Sequence, residues 1–324
     1  MNDVIAFVQF IHPGVENLPK RRNKTDIIPW NHGSHKRKFL CQPGWYMKNG
    51  RLIHEDEMTF WGEWEPQSRF TRLDNPKEDR SLPHVLHRPV LDLNEPKRDR
   101  QNTDPFVFHE RFLYRCCQQT RKTGQTQLAH LRPGSIVLFG SSVNNLFAVD
   151  TVFVVGGFRD YRDKKGGLDF DKNLRDYAEI VGVGLHSSGS GNCSGCGSHS
   201  GCGSNSLQMR LYYGASPKTP FEGMYSFVPC KRLSGNKQGW ARPILTRADM
   251  CDIYVSCITD NLQRSFRCCR DATLEGNIKA WNRIRKLFAP SIMYWRSTEL
   301  AHRRNSTPRL DLTRYPTEIT MSRL

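Results

Sequence analysis

The chain has 324 residues, and its 48 lysines and arginines outnumber 32 aspartates and glutamates to give a formal charge of +16. With 37% hydrophobic and 10% aromatic residues it carries enough apolar material for a core, which excludes wholesale disorder. No apolar run reaches the ~18 residues of a membrane span, and neither collagen nor heptad periodicity is present, so the expectation is a soluble, basic, globular protein of one large domain or two small ones.

In chain order, the apolar run from Val4 to Ile11, closed by His12-Pro13-Gly14, reads as a buried strand entering a turn. A basic, loop-like stretch follows, from Lys20-Arg21-Arg22 to His35-Lys36-Arg37-Lys38. Phe39 to Trp64 is dense in aromatic residues, and turn signals at Pro43-Gly44 and Asn49-Gly50 divide it into hairpin-like pieces. Residues 66–105 hold Pro66, Pro76, Pro83, Pro89, Pro96 and Pro105. Each removes a backbone donor and restricts its predecessor, so this stretch reads as a long surface connection. Residues 110–119 read as a short helix.

Residues 135–139 and 147–155, rich in Val, Ile and Phe, are the clearest strands. Residues 209–213 and 224–228 read as two more. Before these two, residues 185–206 are dominated by Gly and Ser and read as a flexible coil with nothing to bury. Leu274, Ile278, Trp281, Ile284 and Phe288 recur at helical spacing, and Pro290 ends the run. The tail after Arg303 is polar and basic and reads as a frayed end. Charge is uneven, since residues 231–324 hold 18 Lys and Arg against 8 Asp and Glu.

The 11 cysteines are odd in number and include the adjacent pairs Cys116-Cys117 and Cys268-Cys269, which suggest no regular disulfide framework. The first seven residues have no secretory character, so the expectation is a cytoplasmic protein with free thiols.

Five constellations carry candidate chemistry. In Phe60-Trp61-Gly62-Glu63-Trp64-Glu65, a strand places Trp61, Glu63 and Glu65 on one face. Two carboxylates beside indole rings suit an acid/base pair, a divalent cation, or the edge of a base stacked on Trp61 or Trp64. Asn102-Thr103-Asp104-Pro105 suits a turn, with Asp104 as a candidate ligand or acid/base group. His12, at a strand end, is a candidate base. Cys193, Cys196, His199 and Cys202 are the right donors for zinc, although no second Cys-x-x-Cys accompanies them. On the terminal helix, Lys279, Arg283 and Lys286 share a face able to track phosphates. Asp150 with Asp163 and Lys165 forms a loose acidic-x-Lys pattern that reads as chance within a charged turn. Phosphate-loop, dinucleotide-fold, zinc-protease and nucleophile-elbow signatures are absent from the sequence.

Residues 128–156 place a Pro-Gly turn before one strand and follow it with a second strand of Val and Phe. This stretch resembles the small barrels of PUA-like domains of the ASCH and EVE groups. The resemblance implies a barrel-like body and an aromatic-lined pocket for RNA or modified bases, with Ser135 where that group often has Asp.

Together these readings predict an α+β fold, with a β-rich mixed or antiparallel sheet curling towards a barrel and a small helical C-terminal part. Residues 1–230 form the main domain, and 231–324 a basic, partly helical segment packed on it. The expected partner is nucleic acid or nucleotide, since a large positive charge attracts polyanions. Trp45, Tyr46, Trp61 and Trp64 would stack on bases, and Arg37, Lys38, Lys279, Arg283 and Lys286 would hold phosphates. The alternative is a nucleotide- or nucleic-acid-processing enzyme using Glu63, Glu65, Asp104 and His12. Zinc or another divalent cation is the candidate cofactor, and no membrane partner is expected.

Overall fold

In a computed structural model, residues 2–12, 15–19, 26–31, 36–48, 51–60, 64–73, 85–90, 103–108, 111–121, 124–162, 208–232, 240–250, 252–259, 262, 265–269, 271–288 and 291–295 are described. Their strands are β1 (Phe7–Ile11), β2 (Val15–Glu16), β3 (Ile27–Ile28), β4 (Lys36–Arg37), β5 (Phe39–Lys48), β6 (Arg51–Phe60), β7 (Ser68–Leu73), β8 (Val85–Pro89), β9 (Phe106–Phe108), β10 (Arg111–Tyr114), β11 (Thr120–Arg121), β12 (Gly124–Gln125), β13 (Ile136–Val143), β14 (Leu146–Arg162), β15 (Gln208–Gly214), β16 (Val228–Arg232), β17 (Trp240–Ala241), β18 (Phe266–Cys269) and β19 (Ser291–Trp295). Among the described residues one α-helix, α1, spans Leu274–Leu287.

Two large sheets organise most of them, beside the two-stranded pairs β2-β4 and β11-β12. The first runs β18-β1-β13-β14-β15-β10-β9, and the second runs β17-β16-β19-β5-β8-β7-β3 with β6 also paired to β5. Each is mixed through a single parallel pair, β1 with β13 in the first and β5 with β8 in the second. The centre of the first sheet is built as its sequence dictates. All five residues of β1 are buried, and Phe10, Tyr114, Phe139, Phe153 and Tyr212 interlock with ring centroids 5.0–6.3 Å apart. Asn144 and Asn145 both take positive φ (50° and 62°) in the two-residue turn from β13 to β14. Asparagine tolerates that conformation, and such turns follow the natural twist of a hairpin.

The sheets meet along β14. Val152 and Phe227 exchange backbone hydrogen bonds at 2.9 Å, Val149 N–H donates to Pro243 O at 2.9 Å, and Leu245 N–H donates to Phe147 O at 2.9 Å. The basic C-terminal segment is woven into both sheets, since β18 extends the first and β19 sits between β16 and β5 in the second. Helix α1 starts at Thr273, whose Oγ1 accepts from Gly276 N–H at 3.1 Å. It buries Asn277, Ala280, Trp281 and Ile284. The Asn277 amide donates to Ala6 O and Gly134 O at 3.1 and 2.8 Å, and so ties the helix to the start of both parallel strands.

The α+β, largely β class stands, and strands appear at 7–11, 136–143 and within 146–162 where the sequence places them. Other expectations are corrected. Residues 111–114 form β10 rather than a helix, because this stretch pairs on both sides, with β9 and β15. Pro43-Gly44 does not form a turn but runs within β5, where the pairing with β6 shifts register between Gln42, paired with Met58, and Gly44, paired with Glu55. The proline-rich connection contains β7 and β8, with Pro89 as the last residue of its strand, where a missing donor is tolerated. The curl towards a barrel is neither shown nor overturned: among the described residues neither sheet closes, and β18 and β9, and β17 and β3, are the ends of the two sheets. Against the expectation of thiols alone, Cys257 and Cys269 are joined as a disulfide. Among the described residues no helix is long and apolar enough to cross a membrane.

Candidate functional site

The most unusual feature is a seam of charged side chains inside the molecule. Arg37 ends β4 and is buried. Its Nη2 donates to Asp150 Oδ2, and both side chains are 3% exposed. Asp150 occupies a bulge in β14, where Phe139 pairs Thr151 and Gly140 pairs Val149. The extra residue breaks the alternation and turns the carboxylate out of the ladder towards Arg37. Arg242 lies 4.0 Å from Asp150 Oδ1 and donates to Ser141 Oγ at 3.1 Å. Both guanidiniums lie over the Phe39 ring, at 5.5 and 5.0 Å from its centroid, where the negative ring face favours cations.

Lys38, one residue further, is also fully buried. Its Nζ donates to Pro29 O (2.8 Å), Pro66 O (2.7 Å) and Glu65 O (3.3 Å), so all three ammonium protons meet carbonyl oxygens. Glu65 is held by its surroundings. Asn31 Nδ2 donates to its Oε2, and its own N–H donates to Thr103 Oγ1 at 3.1 Å. Trp64 is 1% exposed, with Nε1–H donating to Gln67 O at 3.0 Å.

His87, on β8, stands beside this group. Its Nδ1 is 3.2 Å from Ser68 Oγ, and burial together with the Lys38 ammonium lowers its pKa from 6.5 to about 3. The folded imidazole is therefore neutral, while the unfolded one gains a proton below about pH 6.5. Its contribution to stability is complete above that pH and is lost as pH falls towards 3. We expect His87→Gln to flatten the fall in urea midpoint between pH 7 and pH 4, by up to one proton's worth of slope. An unchanged pH profile would remove His87 from this role.

Asp104 closes a second part of the seam. Its Oδ1 accepts from Arg115 N–H at 3.0 Å, and its Oδ2 accepts from Cys116 and Cys117 N–H at 2.9 and 2.8 Å. Burial pushes its carboxyl above the ordinary carboxylate range, and these donors with the Arg115 guanidinium oppose that shift. The turn is fixed further by Tyr114 Oη, which donates to Cys117 O at 2.6 Å. Burial drives the Tyr114 phenol well above its ordinary pKa.

The candidate residues can now be placed. Glu65 and Asp104 are brought close through Thr103, but each carboxylate serves neighbouring donors as a framework group. His12 stacks on Phe139 at 5.5 Å, meets Phe10 edge-on at 4.8 Å and is 6% exposed. Tyr46, Trp64, Arg37 and Lys38 lie in the interior. This corrects their expected roles, because a sealed ring cannot stack on a base and a buried cation cannot reach a phosphate. Trp45 is half-buried against His54, with centroids 4.8 Å apart. On α1, Lys279 pairs with Glu275 at 2.7 Å, Arg283 Nε donates to Asp249 O at 2.8 Å, and Lys286 is exposed. Trp61, Glu63, Cys193, Cys196, His199, Cys202, Asp163 and Lys165 lie outside the described residues. Asp150 sits in a buried strand rather than a charged turn. Among the described residues no group of three His, Cys, Asp or Glu is placed to hold a metal.

Sequence reasoning missed a cavity of ≈ 330 Å³ on the second sheet, lined by Glu57, Arg69, Phe70, Thr71, Arg88, Pro89 and Val90. Arg69 and Arg88 are direct cross-strand partners of β7 and β8, and both are exposed. Glu57 bridges Arg72 (2.7 Å) and Arg88 (3.4 Å). Comparison with protein-family models, curated proteins and solved structures returns no match.

Proposed function

We propose that the protein binds nucleic acid or nucleotides, with phosphates held by cations on its outer surface. One observation carries the reading: the described interior is close to electrical balance. Its buried cations are Arg37, Lys38, Arg115 and Arg242, against Glu65, Asp104 and Asp150, so the formal +16 does not arise there. Exposed cations such as Lys36, Arg69, Arg88, Arg121, Arg132 and Arg267 are free of the desolvation that disables the buried ones. The half-buried Trp45 is the described candidate ring left for a base. The resemblance of residues 128–156 to PUA-like domains supports the same ligand class. Processing chemistry at Glu65 and Asp104 gains no support, since both carboxylates hold structural donors.

The test is fluorescence anisotropy with labelled single- and double-stranded oligonucleotides at rising salt. Each neutralised phosphate contributes about 0.9 to the slope of log K against log salt on duplex and about 0.7 on single strands. We expect a steep negative slope. Absence of binding, or a flat response, overturns the reading.

A further inference from the structure

We infer that the cavity bounded by Arg69, Arg88 and Thr71 is a phosphate-binding site, which on the reading above receives one backbone phosphate of a nucleic acid. Four features of the cavity converge. First, Arg69 and Arg88 face each other directly across β7 and β8, and like charges in that position repel. An anion between the two guanidiniums turns the repulsion into attraction. Second, their partners are unequal. Arg88 shares Glu57 with Arg72, whereas the exposed Arg69, which also lines the cavity, makes no ion pair among the described residues.

Third, Thr71 occupies a bulge, since Phe70 pairs His87 and Arg72 pairs Leu86. The bulged residue lines the cavity and carries a hydroxyl able to donate. Fourth, Phe70, Pro89 and Val90 supply an apolar floor. The planar donor fork of arginine matches phosphate oxygens two at a time. The single carboxylate, Glu57, keeps the Arg88 fork in place and disfavours a second anion. A volume of ≈ 330 Å³ stands at the lower end of the ~300–1,000 Å³ of ligand pockets, which suits one phosphate with its sugar.

The experiment pairs the wild type with Arg69→Ala/Arg88→Ala. Each is titrated with a labelled 12-nucleotide single strand over a range of salt. Inorganic phosphate is titrated separately while the arginine Nε–H signals are followed by NMR. Both arginines are exposed, so the unfolding midpoint should hold or rise slightly as the repulsion is relieved. For the wild type we expect phosphate to shift the signals of Arg69 and Arg88. For the double variant we expect weaker strand binding and a salt slope smaller by about 1 to 2. If the variant keeps wild-type affinity and slope, the cavity is not the phosphate site, while the nucleic-acid reading stands. If phosphate moves both arginine signals but no strand binds, the cavity stands as an anion site and the nucleic-acid reading falls. If neither probe binds, both fall.

Discussion

Asp150→Ala is expected to lower the free energy of unfolding by about 3–5 kcal/mol, because it leaves the Arg37 guanidinium charged in a site sealed from water. Arg37 and Asp150 are each 3% exposed, and Arg242 stands 4.0 Å away on the same carboxylate. Removing the acid therefore leaves two buried cations facing one another over the Phe39 ring. Arg37→Met alone should cost less, since Arg242 still stands 4.0 Å from the carboxylate in the β14 bulge. The double variant Arg37→Met/Asp150→Leu removes both charges and should cost far less than the sum of the two single changes. Urea unfolding of the three variants gives the coupling energy directly. Strict additivity would show that the pair does not act as a unit.

Asp104→Ala is the other large expected loss, about 3–5 kcal/mol. One carboxylate satisfies three successive backbone N–H groups of residues 115–117, and a buried donor left without an acceptor costs roughly 1–3 kcal/mol. Asp104→Asn keeps the shape and one carbonyl oxygen but turns the other acceptor into a donor, so it should recover only part of the loss. The two variants rank the cause. If alanine and asparagine are equally mild, the turn does not depend on the carboxylate.

The sequence is most informative where local chemistry and tertiary packing agree. The run from Phe7 to Ile11 is apolar throughout and is buried on both faces. The α1 stripe at 3–4-residue spacing is capped by Thr273, and the Asn144-Asn145 pair suits its hairpin. Residues 111–114 mislead because their helical period is overridden by pairing with strands distant in sequence. The seam is harder to read. Arg37, Lys38 and Asp150 look like surface charges in one dimension, since burying them is favourable only with partners 9 to 113 positions away. Trp64 and Glu65 are singled out correctly as unusual, but the indole and the carboxylate are framework groups. The cavity is hidden for another reason. The partnership of Arg69 and Arg88 is set by the register of β7 on β8, and the exposure of Thr71 by a bulge. Neither can be read from alternation alone.

On the proposed reading, a buried ionic framework is separate from the exposed cationic surface that would meet the ligand. Asp104→Asn tests that separation most directly when unfolding midpoint and strand affinity are measured on one preparation, under conditions where the variant is folded. The separation predicts a clearly lower midpoint with the dissociation constant and salt slope of the wild type. An unchanged midpoint with lost strand binding would place Asp104 at the ligand and contradict it.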